Sequence, residues 1–394
     1  MSGNETITNK HMMFGTGERD YSVDMMRCIS CFMVVAIHVC AWFMGWFPYD
    51  ETQAISSTWI GLAILKSSTV SATNLFLMIS GIFFLSPERN VTISKVWSKN
   101  ILKLACAYIV WSVIYALLRI YYLYPRPFEW SDFFKEVITQ EFHLWYIPMM
   151  LGIYILVPLM RVFTQAAERK HYLYMIGLMI GAMTICTFYL FNQEYAYPGS
   201  ENVNTVLSKI PYLQICQYPF YTILGYYLYT YRPKLKTRII VYILGILGVA
   251  LTFTFTLIMY KHTGNPNPDV LQEKFNIGIL AKNTALFVLV ITVFSKVKFA
   301  GFAKKFLSKL SAATLFIYLS HVFFIHVLYN EVWLKGDTVT FHGAVFYIVA
   351  IYFAAFLFSY LVLQLIPWVK MRNAVLDTIW PNRKIWNGGK KKKK

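Results

Sequence analysis

Apolar runs near twenty residues recur along nearly the whole chain, each long enough, at about 1.5 Å per helical residue, to cross a hydrocarbon core of about 30 Å. A bilayer leaves no water to satisfy a backbone, so such runs must be helices. The chain therefore reads as all-α, a polytopic integral membrane protein with about ten spans. They are placed at Ser22 to Phe47, Ile60 to Leu85, Ile101 to Leu123, Phe142 to Phe163, Tyr172 to Phe191, Ile210 to Tyr231, Ile239 to Tyr260, Ile277 to Val297, Leu310 to Tyr329 and Ala344 to Trp368. Lys66 and Lys282 interrupt the second and eighth spans. The expected organisation is a tail over 1–20, a transmembrane domain over 21–368 and a basic tail over 369–394, whose lysine-rich end is low complexity and carries no mechanism. The first span is too long for a signal peptide, holds Asp24 and Arg27, and lacks a small-residue cleavage site.

Only 14% of residues are charged, yet the formal net charge is +18. In a soluble chain that excess would point to nucleic acid; here it follows membrane orientation. One set of alternate connections with the terminal segments holds 27 Lys and Arg, the other six, or 22 against six without the last five lysines. Both termini are expected on the cytoplasmic side, and the outer connections are too short for a separate domain. The sequons at Asn4 and Asn90 fall on that inner side. No internal repeat is visible, which weakens an inverted-repeat transporter reading. Six cysteines lie within apolar runs, with one C-x-x-C at Cys28 and Cys31 and no second pair at metal spacing, so neither a disulfide nor a metal is expected.

Ionisable groups inside a span are costly and mark function more often than packing. The first span has three: Asp24, Arg27 and His38. Arg27 and His38 are about three turns apart, within roughly 20° on one face and about 16 Å along it. Asp24 stands one turn before Arg27, where it can hydrogen-bond and orient the guanidinium. This stripe suits a substrate entering from the cytoplasm with a charged head and a long thin arm. Arginine would hold phosphate at the mouth, and a neutral imidazole would deprotonate an acceptor hydroxyl attacking a thioester. The plainer alternative is an interfacial ion pair with His38 bonded to a neighbouring helix.

The stretch from Tyr21 through Asp24 to Arg27, with His38 following, resembles the opening helix of the acyltransferase-3 family of bacterial membrane O-acyltransferases. Asn74, Phe76, Ser80 and Gly81 resemble the family's Phe-rich Ser-Gly segment, and His143, Trp145 and Tyr146, followed by Gly152, Tyr154 and Pro158, resemble its surface-polysaccharide O-acetyltransferase branch. The resemblance implies transfer of an acyl group, usually acetyl from acetyl-CoA, to a hydroxyl of an envelope glycan or lipid-linked sugar at a bacterial cytoplasmic membrane. On that reading Asp24, Arg27 and His38 are catalytic; Arg27, Arg89, Lys99 and Lys103 meet the donor; Ser80, His143, Trp145 and Tyr146 meet the acceptor. The chain departs from the pattern before the third span, where Asn100 takes the place of the first arginine of a basic pair, and near Met150, where some branches carry a glutamate.

Each candidate has a plainer role beside it. His143, Trp145 and Tyr146 also fit an aromatic belt, and Ser80-Gly81, like Gly177 and Gly181, fits close helix packing. His321 and His326 lie about 140° apart around the ninth span and cannot share one site. Arg119 is expected to snorkel outward, while Lys66 and Lys282 need partners if buried. A transporter or flippase for a glycan or lipid-linked sugar uses the same buried charges as a pathway; a non-catalytic membrane sensor is a third reading.

Overall fold

The computed structural model describes residues 19–195, 205, 218–268, 276–328 and 340–365. Both expected tails, save residues 19 and 20, lie outside the described residues. The helices in chain order are α1 (Tyr21–Met44), α2 (Ser57–Thr69), α3 (Thr73–Phe84), α4 (Ile93–Leu123), α5 (Trp130–Thr139), α6 (Phe142–Ala166), α7 (Arg169–Tyr195), α8 (Tyr218–Thr230), α9 (Leu235–Thr263), α10 (Ile277–Phe294), α11 (Gly301–Leu328) and α12 (Phe341–Leu365). Among the described residues there is no strand, and nine helical stretches are long and apolar enough to span a membrane, with α2 and α3 counted as one. The expected span Ile210 to Tyr231 lies partly outside the described residues, which begin there at Tyr218.

α1 is the central helix, packed by α2, α3, α10, α11 and α12. Its start is fixed locally: Asp20 caps it by accepting from Ser22 N at 2.9 Å. The second span is not the single helix that its hydropathy suggests. It breaks at Val70 to Ala72, with Ser71 in the left-handed region at φ 57°. A break frees carbonyls that lipid cannot satisfy. α10 supplies the donors: Lys282 Nζ bonds the carbonyls of Ser67 and Val70, at 3.2 and 2.5 Å, and Asn283 Nδ2 that of Ser71 at 3.1 Å. Lys66, in the last turn of α2 before the break, donates to Asn267. Both intramembrane lysines that lacked assignable partners in the sequence thus find them around this break, Lys66 from α2 and Lys282 from α10.

Close backbone approach holds α3 to α8. A Cβ on Gly81 would stand 1.8 Å from the Thr222 carbonyl oxygen, and one on Gly225 would stand 2.2 Å from that of Met78. Small residues substitute here for the hydrophobic drive that lipid removes. The same role does not extend to Gly177, which has open space where a Cβ would stand.

Candidate active site

The cytoplasm-facing charges of the sequence reading gather at the N-terminal end of α1. Asp24 is not the partner of Arg27. Its carboxylate accepts from Arg19, Nε at 2.5 Å and Nη2 at 3.1 Å, and from Ser311 Oγ of α11 at 2.6 Å. Arg19 lies outside the apolar run and so escapes a reading restricted to intramembrane charges, yet one turn before Asp24 it reaches the same carboxylate. Asp24 therefore ties α1 to α11 and leaves the guanidinium of Arg27 uncommitted: among the described residues it donates no hydrogen bond.

Arg27 instead lies over the ring of Phe83, its Cζ 4.4 Å from the centroid, and Arg89 stands at the same 4.4 Å from that ring. The two guanidiniums thus share one phenyl ring, which places two positive charges in one neighbourhood at this end of α1. The segment carrying Arg89 is fixed from α6. Arg161, buried, donates to the carbonyls of Phe84 at 2.6 Å, Ser86 at 2.9 Å and Arg89 at 3.1 Å, satisfying the C-terminal end of α3. Lys99 and Lys103 are exposed on α4, Lys99 within a π-helical turn over Val96–Ile101.

Three turns along α1, His38 meets two elements. Its ring stacks on His321 of α11 at 5.3 Å and meets Phe142 of α6 edge to face at 5.1 Å. His143 completes the group, 5.1 Å from His321 and buried. Hydrogen bonds fix two of the three tautomers. His321 Nδ1 is 2.6 Å from the Tyr318 carbonyl and His143 Nε2 is 3.4 Å from that of Leu319, so those nitrogens carry the protons. The remaining nitrogens, Nε2 of His321 and Nδ1 of His143, are buried and have no hydrogen-bond partner among the described residues. His38 differs: it keeps partial exposure, and among the described residues neither ring nitrogen is hydrogen-bonded. His326 goes elsewhere, as the angular separation requires, against Trp42 at 5.2 Å and Glu141 at 3.6 Å.

α6 runs alongside this stripe. Phe142 sits at the level of His38, and Tyr154, twelve residues on, lies near Arg27 with its hydroxyl paired to Ser80. Ser80 itself donates to the Phe76 carbonyl at 2.8 Å, so its proton is spent within α3. Tyr146 packs on Tyr318 at 5.3 Å and Phe76 at 6.2 Å; Trp145 stacks on Tyr218 at 6.3 Å. The structure thus brings His38, His143 and, unanticipated, Phe142 and His321 to one end of the seam, and Arg27 with Arg89 to the other. His321 was legible as an intramembrane histidine, but which helix it faces was not. Arg161 reads in the sequence only as part of the orientation charge, because nothing local marks an arginine that caps another helix.

A bundle of helices long and apolar enough to span a membrane, with two arginines on one phenyl ring at the N-terminal end of α1 and three histidines three turns along it, defines a multi-pass membrane protein with polar groups gathered inside it. Residues 20–364 match the family described as an acyltransferase domain, and with most of its length covered the chain belongs to the acyltransferase-3 family and is a membrane acyltransferase. Comparison with curated proteins and with solved structures finds no match.

Proposed function

We propose that this protein is an O-acyltransferase that moves an acyl group, acetyl from acetyl-CoA, onto a hydroxyl of an envelope glycan or lipid-linked sugar in a bacterial cytoplasmic membrane, with both termini in the cytoplasm. The observation that carries the reading is His38: a partly exposed imidazole with neither nitrogen hydrogen-bonded among the described residues, on the helix whose other end sets Arg27 on the ring that Arg89 also meets. The donor's phosphates would occupy the two guanidiniums on Phe83, and its arm would follow α1 and α6 toward His38. Arginine suits this task because its planar fork meets phosphate in two places.

At His38 the chemistry needs one base. The imidazole accepts the proton of the acceptor hydroxyl as the oxygen attacks the thioester carbonyl. The tetrahedral adduct collapses, the C–S bond breaks, and the proton leaves with the thiolate as free CoA thiol. His143 and His321 each donate one ring N–H to a backbone carbonyl and keep the other nitrogen buried, whereas His38 is partly exposed and so open to an incoming hydroxyl. Lys99 and Lys103 extend the basic approach to the donor from α4, and Trp145 and Tyr146 line the acceptor's side.

The test is binding. Purified protein should bind acetyl-CoA, measured by calorimetry in detergent, and Arg27→Ala should weaken that binding by at least tenfold, about 1.4 kcal/mol. Equal affinity in both proteins would remove Arg27 from the donor site, and no binding to the wild type would remove acetyl-CoA from the reaction.

A further inference from the structure

Helix α5 is amphipathic in the opposite sense to a helix that packs on a protein core. Trp130, Phe133, Phe134, Val137 and Ile138 follow the spacing of a single apolar face. Yet that face is turned outward: Trp130, Phe134 and Ile138 are 66%, 56% and 78% exposed. The carboxylates of Asp132 and Glu136 lie off that face and are held in ion pairs, Glu136 the more buried of the two. Asp132 accepts from Arg126 Nε at 2.6 Å, Glu136 from Arg126 Nη2 at 2.8 Å and from Arg119 Nη1 at 3.2 Å. Arg119 thus does not snorkel outward; it binds α5 and, through Nε at 3.0 Å, the buried Glu141. A short helix held by ion pairs to the bundle, with its apolar stripe facing away, needs an apolar partner on that side.

We propose that the partner is the lipid surface: α5 lies in the plane of the membrane, at the boundary opposite the N-terminal end of α1, with Trp130, Phe134 and Ile138 seated between headgroups and acyl chains. The placement follows from chain order, because α5 joins the end of α4 to the start of α6 on that side. It follows also from continuity with the membrane-facing surface. Tyr121 and Tyr124 at the end of α4 are exposed, Tyr121 stacks on Phe128 at 6.4 Å, and Phe128 packs edge to face on Trp130 at 5.1 Å. Aromatic rings at this depth are what an interfacial helix uses for anchorage. The consequence reaches the bundle interior. After α5 the chain turns at Gln140, at φ 53°, and delivers Glu141, Phe142 and His143 in succession to His326, His38 and His321. A helix seated on lipid therefore anchors the segment that packs His38.

The experiment compares the wild type with Trp130→Phe, a substitution that keeps an aromatic ring on the stripe, in vesicles of phosphatidylcholine with and without a fraction brominated near the headgroup end of the acyl chain. The difference in tryptophan emission between the two proteins isolates Trp130 from the other ten. The expected result is that brominated lipid removes most of this difference signal while acrylamide in the aqueous phase quenches it weakly. A difference signal quenched by acrylamide and indifferent to bromine would put α5 in water. One quenched by neither would put a protein surface, such as a second copy of this chain, over the stripe. Either outcome overturns the proposal.

Discussion

Replacing Arg161 with Met keeps an unbranched apolar stem and removes the guanidinium whose three hydrogen bonds close the end of α3. Phe84, Ser86 and Arg89 lose a charged hydrogen bond at 2.6, 2.9 and 3.1 Å. Ser86 is fully buried and Phe84 partly so, whereas Arg89 is exposed and its carbonyl can turn to water. An unsatisfied buried carbonyl costs about 1–3 kcal/mol, so two of them set a loss of about 2–6 kcal/mol, reduced where the segment relaxes toward the interface. That is a large part of a typical folded protein's margin of about 5–15 kcal/mol. The loss has a functional partner, because the same segment holds Arg89 against Phe83. Arg161→Met should therefore lower the detergent-solubilised melting temperature and raise KM for acetyl-CoA more than it lowers kcat. Arg161→Lys, which keeps the charge but has one compact head for three divergent carbonyls, should recover only part of either effect. An unchanged melting temperature with unchanged KM in Arg161→Met would refute the reasoning.

Three further outcomes follow from the same geometry. Arg27→Lys should rescue little of the donor affinity lost in Arg27→Ala if phosphate is held by the planar fork; near-full rescue in a binding titration would make the contact a point charge. Burial opposes ionisation of Glu141, but the adjacent His326 and the hydrogen bond from Arg119 outweigh it and hold the carboxyl below its ordinary value of 4.5. Because the folded value lies below the unfolded one, the contribution is full above about pH 4.5 and is lost as pH falls through the depressed value, so Glu141→Gln should flatten the acid side of a melting-temperature profile; parallel profiles would contradict this. Gly81→Ala would put a methyl group 1.8 Å from the Thr222 oxygen, so α3 and α8 must part at a cost of about 1–3 kcal/mol or more, and an unaltered melting curve would deny the close approach.

What the sequence disclosed divides along physical lines. Span length and hydropathy are properties of single segments, so α1 and α6 begin within a residue of their expected positions. The stripe from Arg27 to His38 is likewise internal to one helix, and the structure presents both residues toward α3 and α6. Partnerships across helices were not legible. Asp24 chose Arg19 and Ser311 over Arg27, and the broken second span drew its donors from residues more than two hundred positions away. The break itself is hidden in hydropathy because Val70 to Ala72 are as apolar as a helix requires; the signal was the paired lysines, Lys66 and Lys282, whose cost in the membrane demands carbonyls or amides. α5 escaped because ten residues between two spans are too few to register as a span, although their period of apolar residues was in plain view.

The central claim is that His38 is the base for acyl transfer within this bundle, and it is tested by label. Membrane vesicles containing the wild type and, separately, His38→Ala are given acetyl-CoA labelled in the acetyl group and assayed for label in glycan and lipid-linked sugar. The account predicts transfer by the wild type and none above background by His38→Ala, with acetyl-CoA binding retained in the variant. Transfer by His38→Ala at a rate near that of the wild type would contradict it and move the base elsewhere in the histidine group.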